Sequence, residues 1–195
     1  MPSSIGIKRL LCTVIALTMI ISVLSVAQAS GNKNQHAVRI LLSNLDLKDN
    51  LKIGIYGSYS LDNRLSFQRG SELQLRLTSQ GMVLLYEGMS YFPGQQLVLK
   101  RHQVDEGVEN GLRLQEGLNL YTGDLHVSIS NGALLVVLTA PIEEYLLGVV
   151  PYEMSDMFPL EALKAQAIAA RTYTLRNLRP SEAYDMTDTT NDQVY

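Results

Sequence analysis

The chain has 195 residues, 46% hydrophobic and 18% charged, with a formal net charge of −3 and one cysteine. That is enough apolar material for one good core with room for a small second domain, which excludes a disordered tail. Lysine and arginine never occur more than two in a row, and without a concentrated basic field no nucleic-acid partner is expected.

The first segment, GIKRLLCTVIALTMIISVLSVAQASGN, has a basic flank, an apolar run from Leu10 to Val26 and the small-x-small triplet Ala27-Gln28-Ala29. Residues 1–29 read as an export signal cut after Ala29; the alternative is an uncut membrane anchor, for which the run is borderline in length. Membrane contact is expected only through this segment, and only if it stays uncut. Cys12 lies inside it, which leaves no cysteine elsewhere for a disulfide or a thiolate metal site.

From Ala37 to Leu138 the pattern is mostly period two, as expected when one face of a strand is buried and the other wet. AVRILLS, LKIGIYGSYS, SELQLRLTS, MVLLYEG, QQLVLKRHQ, GLRLQEG and DLHVSISNGALLVVLTA are separated by turn residues such as Asp62-Asn63, Ser79-Gln80-Gly81 and Pro93-Gly94. Asn131-Gly132 is the sharpest turn signal. Both residues tolerate positive φ, so Leu125–Ser130 and Ala133–Leu138 are predicted to pair as a hairpin.

After Thr139 the period changes. In APIEEYLLGVV, proline can open a helix and Glu143 and Glu144 suit its first turn. Ile142, Tyr145, Leu146 and Val149 share one face, which predicts a short amphipathic helix over about 141–150. A second helix is predicted over about 159–179, opening at Pro159 and stopped by Pro180. PYEMSDMF between them is rich in turn-formers and places Glu153 in an elbow. The fold class is therefore α+β: an antiparallel, β-rich N-terminal part followed by two helices.

On a wheel of the second helix, Leu160, Leu163, Ala167, Ile168, Ala170, Leu175 and Leu178 form one broad apolar arc, with Lys164 and Arg171 in its middle. Gln166 and Tyr173 stack at one border. A cation in an apolar arc must either snorkel to water or meet an acid, because an unpaired buried charge is too costly.

IEEYLLGVVPYEMSDMFPLEALKAQAIAARTYTL resembles the signature of the SpoIID family, the sporulation stage II protein D and its amidase-enhancer relatives. YTGDLHVSISNGALLVVLTAPIEEYL resembles the strands that precede it, and DMTDTTNDQVY the block that follows. The resemblance covers roughly Leu112 to Tyr195. It divides the chain into the 1–29 segment, a β-rich region over 30–111 and a SpoIID-like domain over 112–195.

The resemblance implies work on the bacterial cell wall, outside the cytoplasm: a lytic transglycosylase cutting peptidoglycan glycan strands, preferably peptide-free, as in the engulfment step of sporulation. It assigns the catalytic acid to Glu153. Lys164, Gln166, Arg171 and Tyr173 of the second helix, and Gln193, are the candidate substrate-binding or supporting residues. The same family also implies an alternative, a non-catalytic wall-binding module that stimulates an N-acetylmuramoyl-L-alanine amidase.

One acid is chemically sufficient. Hydrolysis of a glycosidic bond usually needs two carboxylates, whereas a transglycosylase can use the sugar's own C6 hydroxyl as nucleophile, so one glutamate serves as acid and then base. Such a proton donor needs shelter from water, and Tyr152, Met154, Met157 and Phe158 offer apolar surroundings. A cation against it would oppose this, so Arg171 should not touch Glu153.

Two departures from the family pattern stand out. Some members carry metal ligands in an order like C-D-T-T-H-C-Q, where this chain has Thr187, Asn191 and Asp192; neither a metal nor any other cofactor is expected. His36, His102 and His126 are scattered and read as surface or strand histidines. Family members also continue beyond the position of Tyr195, so the C-terminal part of the domain is expected to be missing.

Overall fold

The computed structural model describes residues 36–195 except 46, 48, 63 and 156. The segment read as an export signal lies outside the described residues. Among those described, no helix is long and apolar enough to cross a membrane.

Strands form where the sequence alternates. In Asn50–Tyr56 (β2, after β1 at Ala37–Leu41), Leu51, Ile53 and Ile55 are buried while Lys52 is exposed. Short strands Tyr59–Leu61 (β3) and Leu65–Phe67 (β4) follow, then Glu72–Thr78 (β5), Gly81–Tyr86 (β6), Met89–Gly94 (β7), Gln96–Arg101 (β8) and Gly111–Leu114 (β9). Asp124–Ser130 (β10) and Ala133–Pro141 (β11) pair antiparallel with Ser130 opposite Ala133. Between them Asn131 and Gly132 take φ of 52° and 75°, the positive pair that a tight hairpin turn requires.

The strands build two sheets. The first has the order β12-β1-β11-β10-β8-β3-β4 and the second β7-β6-β5-β2-β9, where β12 is Met186–Thr187. Strands from both sides of residue 111 share each sheet. Their inward faces form one apolar cluster, including Ile40, Leu99, Val127 and Leu138 from the first sheet and Ile53, Leu75, Leu84 and Leu112 from the second. The run read as LKIGIYGSYS is divided at Gly57-Ser58, where the chain leaves the second sheet for the first. A Cβ on Gly57 would overlap the side chain of Asn110. Neither β4 nor β7 carries a strong apolar alternation, which is why the sequence pattern passed over them.

Ile142–Glu153 (α1) and Leu160–Arg176 (α2) carry the helical part. Buried Ile142, Tyr145, Leu146 and Val149 are the face read from the sequence. A bidentate pair from Arg101 to Glu144, at 2.6 and 2.8 Å, fastens the first turn of α1 to β8. Pro141 and Pro159 are caps rather than first helical residues.

The helix ends differ from those expected. Pro151 does not stop α1, because a proline there forfeits only one bond, to the carbonyl of Leu147, a residue on the solvent side. The helix runs on to Glu153, which is therefore its last residue and not part of a loop. In α2, Asn177 ends the helix before Pro180: its backbone N–H reaches the carbonyls of Tyr173 and Thr174, and its side-chain amide donates to Tyr173 O at 2.8 Å.

The buried face of α2 is also rotated from the predicted arc. Ala170 and Thr174 are buried, whereas Leu160, Ile168 and Leu175 are exposed. The reason lies in what covers the helix, since polar Gln193 packs there and takes hydrogen bonds that a leucine face could not supply.

The segment after α2 is tied down along β1. Asp185 accepts from the Arg39 backbone N–H at 2.8 Å, from its guanidinium Nε and Nη2 at 3.1 and 2.7 Å, and from the Arg179 N–H at 2.7 Å. Asp188 accepts from Ser43 N–H and Oγ at 2.9 and 2.7 Å. These anchors and the parallel β1–β12 pairing set the position of residues 192–195 against the helices.

Candidate active site

A cleft of about 340 Å³ lies where the end of α1, the middle of α2 and the C-terminal segment meet. Glu153, Gln166, Ala169, Ala170, Tyr173, Asp192 and Gln193 line it. It thus brings together Glu153, Gln166, Tyr173 and Gln193 from the residues singled out in the sequence. Ala169 and Ala170 leave the wall of α2 low at this point.

Lys164 and Arg171 do not line the cleft. Lys164 is exposed and pairs within its helix with Glu161, at 2.8 Å. Arg171 meets a carboxylate, but on the first turn of α1: its Nε and Nη2 each donate to Glu143, both at 2.7 Å. The Arg171 guanidinium holds the Glu143 carboxyl below its usual range. Arg171 is therefore engaged away from Glu153, and among the described residues no cation forms an ion pair with Glu153.

Glu153 is exposed, and the apolar shelter expected around it is open. Tyr152, Met157 and Phe158 are 61%, 87% and 50% exposed and are not among the residues that line the cleft, so they do not close over the carboxyl. The difference follows from the extra helical turn, which projects Tyr152 outward. An acid at the last position of α1 also faces the negative end of the helix dipole, with no basic residue in that turn, an arrangement that costs stability.

The opposite wall is more firmly built. Gln193 is 7% exposed, and its Oε1 accepts from the buried Tyr145 hydroxyl at 3.3 Å and lies 2.9 Å from Thr174 Oγ1. Burial raises the pKa of Tyr145 well above the usual phenol range, so it stays a neutral donor. Tyr195 packs its ring 5.0 Å from that of Tyr145 and over Gly148, where a Cβ would overlap the ring. Burial pushes the Tyr195 hydroxyl up to about 12.

Asp192 is the polar lining residue that the sequence reading did not choose for the site. Its Oδ2 accepts from Thr187 N–H and Oγ1 at 2.8 and 2.9 Å, and its Oδ1 from the Tyr173 hydroxyl at 3.4 Å. Two of the positions aligned with metal ligands, Thr187 and Asp192, are thus joined by hydrogen bonds. Partial burial and then the nearby Asp192 carboxylate raise the pKa of Tyr173, keeping it neutral. The signal available beforehand was the run of turn-forming residues around Asp192, which marks a tight loop but gives no role.

The family described as stage II sporulation protein, SpoIID, matches residues 130–195, which include both helices and the whole cleft. The stage II sporulation protein D of Bacillus amyloliquefaciens is 48% identical over 61 residues, and that of Bacillus subtilis 46% over 61 residues; each match covers 28% of this chain and 18% of the relative. An uncharacterized protein of Brachyspira hyodysenteriae is 34% identical over 165 residues, covering 83% of this chain. That match spans 43% of the Brachyspira protein's length. No solved structure matches the chain. Residues 130–195 of the chain are thus a SpoIID-family segment, part of that family's domain.

Proposed function

We propose that the protein is an exported, peptidoglycan-active lytic transglycosylase that cuts glycan strands, with Glu153 as the single acid and base. The observation that carries this reading is the placement of Glu153: an acid at the unfavourable end of a helix, free of ion pairs among the described residues, in a cleft with neutral donors. Nothing in the packing of α1 calls for it. A residue kept at a cost to stability points to function.

In the proposed reaction, Glu153 gives its proton to the glycosidic oxygen and the bond from that oxygen to C1 breaks. The C6 hydroxyl of the same sugar attacks C1 and returns its proton to Glu153, leaving a 1,6-anhydro end without consuming water. Gln166, Tyr173 and Gln193, which line the cleft, would bind the strand. Exposed Tyr152 and Phe158 offer apolar faces on which a sugar ring could rest, and a seated strand would exclude water from the carboxyl.

Mass spectrometry of peptide-free glycan strands incubated with the protein tests the reading, which expects 1,6-anhydro-muramyl ends. If the strands stay intact and the protein instead raises the turnover of a muramoyl-alanine amidase, the enhancer reading replaces it.

A further inference from the structure

A second groove, of about 810 Å³, lies on the outward face of β5, β2 and β9, with rims at Arg69–Ser71, Tyr86–Gly88 and Gln115–Gly117. Its floor holds Gly54, in the interior of β2. In register, Glu72 of β5 stands on one side of Gly54 and Arg113 of β9 on the other.

Glycine at this position has no cause within the chain. The pairing of β2 with both neighbours is continuous, and Gly54 does not adopt a positive φ. A Cβ there would lie 3.5 Å from Tyr56 Cε2 and 3.9 Å from Arg113 Cβ, which is ordinary contact. Glycine inside a strand weakens it by about 0.5–1 kcal/mol and often marks a close approach by something else. What it leaves here is a hollow between a carboxylate and a guanidinium that no salt bridge closes.

The walls of that hollow are preorganised. The Arg113 guanidinium sits 4.2 Å from the centre of the Tyr56 ring and donates to its hydroxyl at 3.0 Å, while Arg113 Nε is buried without an acceptor. Arg69, held by Glu109, lies 6.0 Å from the same ring. Lys52 pairs with Glu116 on the rim.

The lining selects a ligand class. Lys52, Arg69 and Arg113 are balanced by Glu72, Glu87 and Glu116, so the groove has no net charge to hold a polyanion. None of the large exposed apolar side chains lines it, so it is not built for a lipid or an apolar helix. Carboxylate, amide and guanidinium forks beside tyrosine rings match a neutral chain rich in hydroxyl and amide groups. We propose that this groove is a second saccharide-binding site, in which a sugar ring covers Gly54 between Glu72 and Arg113. The choice of N-acetylated glycan as its ligand rests on the glycan-active reading above.

Chitotetraose and peptide-free glycan strands are the probes, with binding followed by calorimetry and by amide NMR shifts on the full chain. Gly54→Val should fill the hollow without disturbing the fold and weaken binding about five- to tenfold, the equivalent of one or two lost hydrogen bonds. Arg113→Gln should do the same, and it serves if Gly54→Val does not fold. Shifts should appear at Gly54, Glu72 and Arg113. Unchanged affinity in the folded variants, or shifts confined to the cleft around Glu153, overturns the proposal. Saccharide binding in the groove without anhydro products would sink the catalytic reading and leave this one standing; anhydro products with no groove binding would do the reverse.

Discussion

Arg171 of α2 clasps Glu143 of α1 with two hydrogen bonds, Nε to Oε1 and Nη2 to Oε2, both 2.7 Å long. The pair joins the helices at the end of α1 opposite to Glu153. Both side chains are substantially exposed, so water screens the pair and its worth is small despite good geometry. Arg171→Gln should lower stability by less than about 1 kcal/mol in chemical denaturation. It should leave glycan cleavage within a few-fold of wild type. A loss of activity matching that of a Glu153 variant would show that Arg171 acts on the substrate.

Glu153→Gln separates stability from chemistry. The substitution removes a negative charge from the C-terminal end of α1, where no basic residue offsets it. Stability should therefore stay level or rise by a few tenths of a kcal/mol. Thermal melts check this, and a clear fall in Tm would mean that Glu153 has a structural partner after all.

Much of this arrangement was legible in the sequence, for identifiable reasons. The Asn131-Gly132 hairpin and the buried face of α1 depend on local chemistry, positive φ and a 3.6-residue period, and both appear as read. The burial of α2 was not legible. Its exposed Leu160, Ile168 and Leu175 outscore Ala170 and Thr174 in apolarity, yet the covering element is a polar segment distant in sequence, and only the tertiary fold brings Gln193 there. Glu153 came from the family resemblance and Gln166 and Tyr173 from the helical wheel, while Asp192 and the Arg171–Glu143 pair needed coordinates. The outer groove at Gly54 left no sequence signal beyond one glycine in an alternating strand.

Gly148 and Tyr195 form a packing pair that a double-mutant cycle can isolate. A Cβ on Gly148 would overlap the Tyr195 ring, so Gly148→Ala should destabilise by roughly 1–3 kcal/mol although alanine is the better helix former. In a Tyr195→Ala background the same change should become neutral or stabilising. Additive effects in the cycle would contradict the contact.

Acid should unfold the protein partly through Glu144 and Asp185. The Arg101 guanidinium holds Glu144 below the usual carboxylate range. For Asp185, burial pushes the pKa up, but the hydrogen bonds from the Arg39 side chain and from the Arg179 and Arg39 backbones outweigh it, so this carboxyl also lies low. Because both folded-state values are depressed, their stabilisation is fully present above the ordinary carboxylate pKa, near pH 4, and is lost as pH falls through the lower folded values. Urea midpoints measured across that range should drop on the acid side, and Asp185→Asn should flatten the drop. An unchanged acid limb in that variant would rule out the assignment.

The reaction itself offers the most direct test. Peptide-free glycan strands are incubated with wild-type protein and with Glu153→Gln, and the ends released are identified by mass spectrometry. The account predicts 1,6-anhydro-muramyl ends from the wild type and a fall of about a hundredfold or more in the variant, the usual cost of losing a general acid and base. Reducing ends without the anhydro ring, or a variant as active as the wild type, would contradict it.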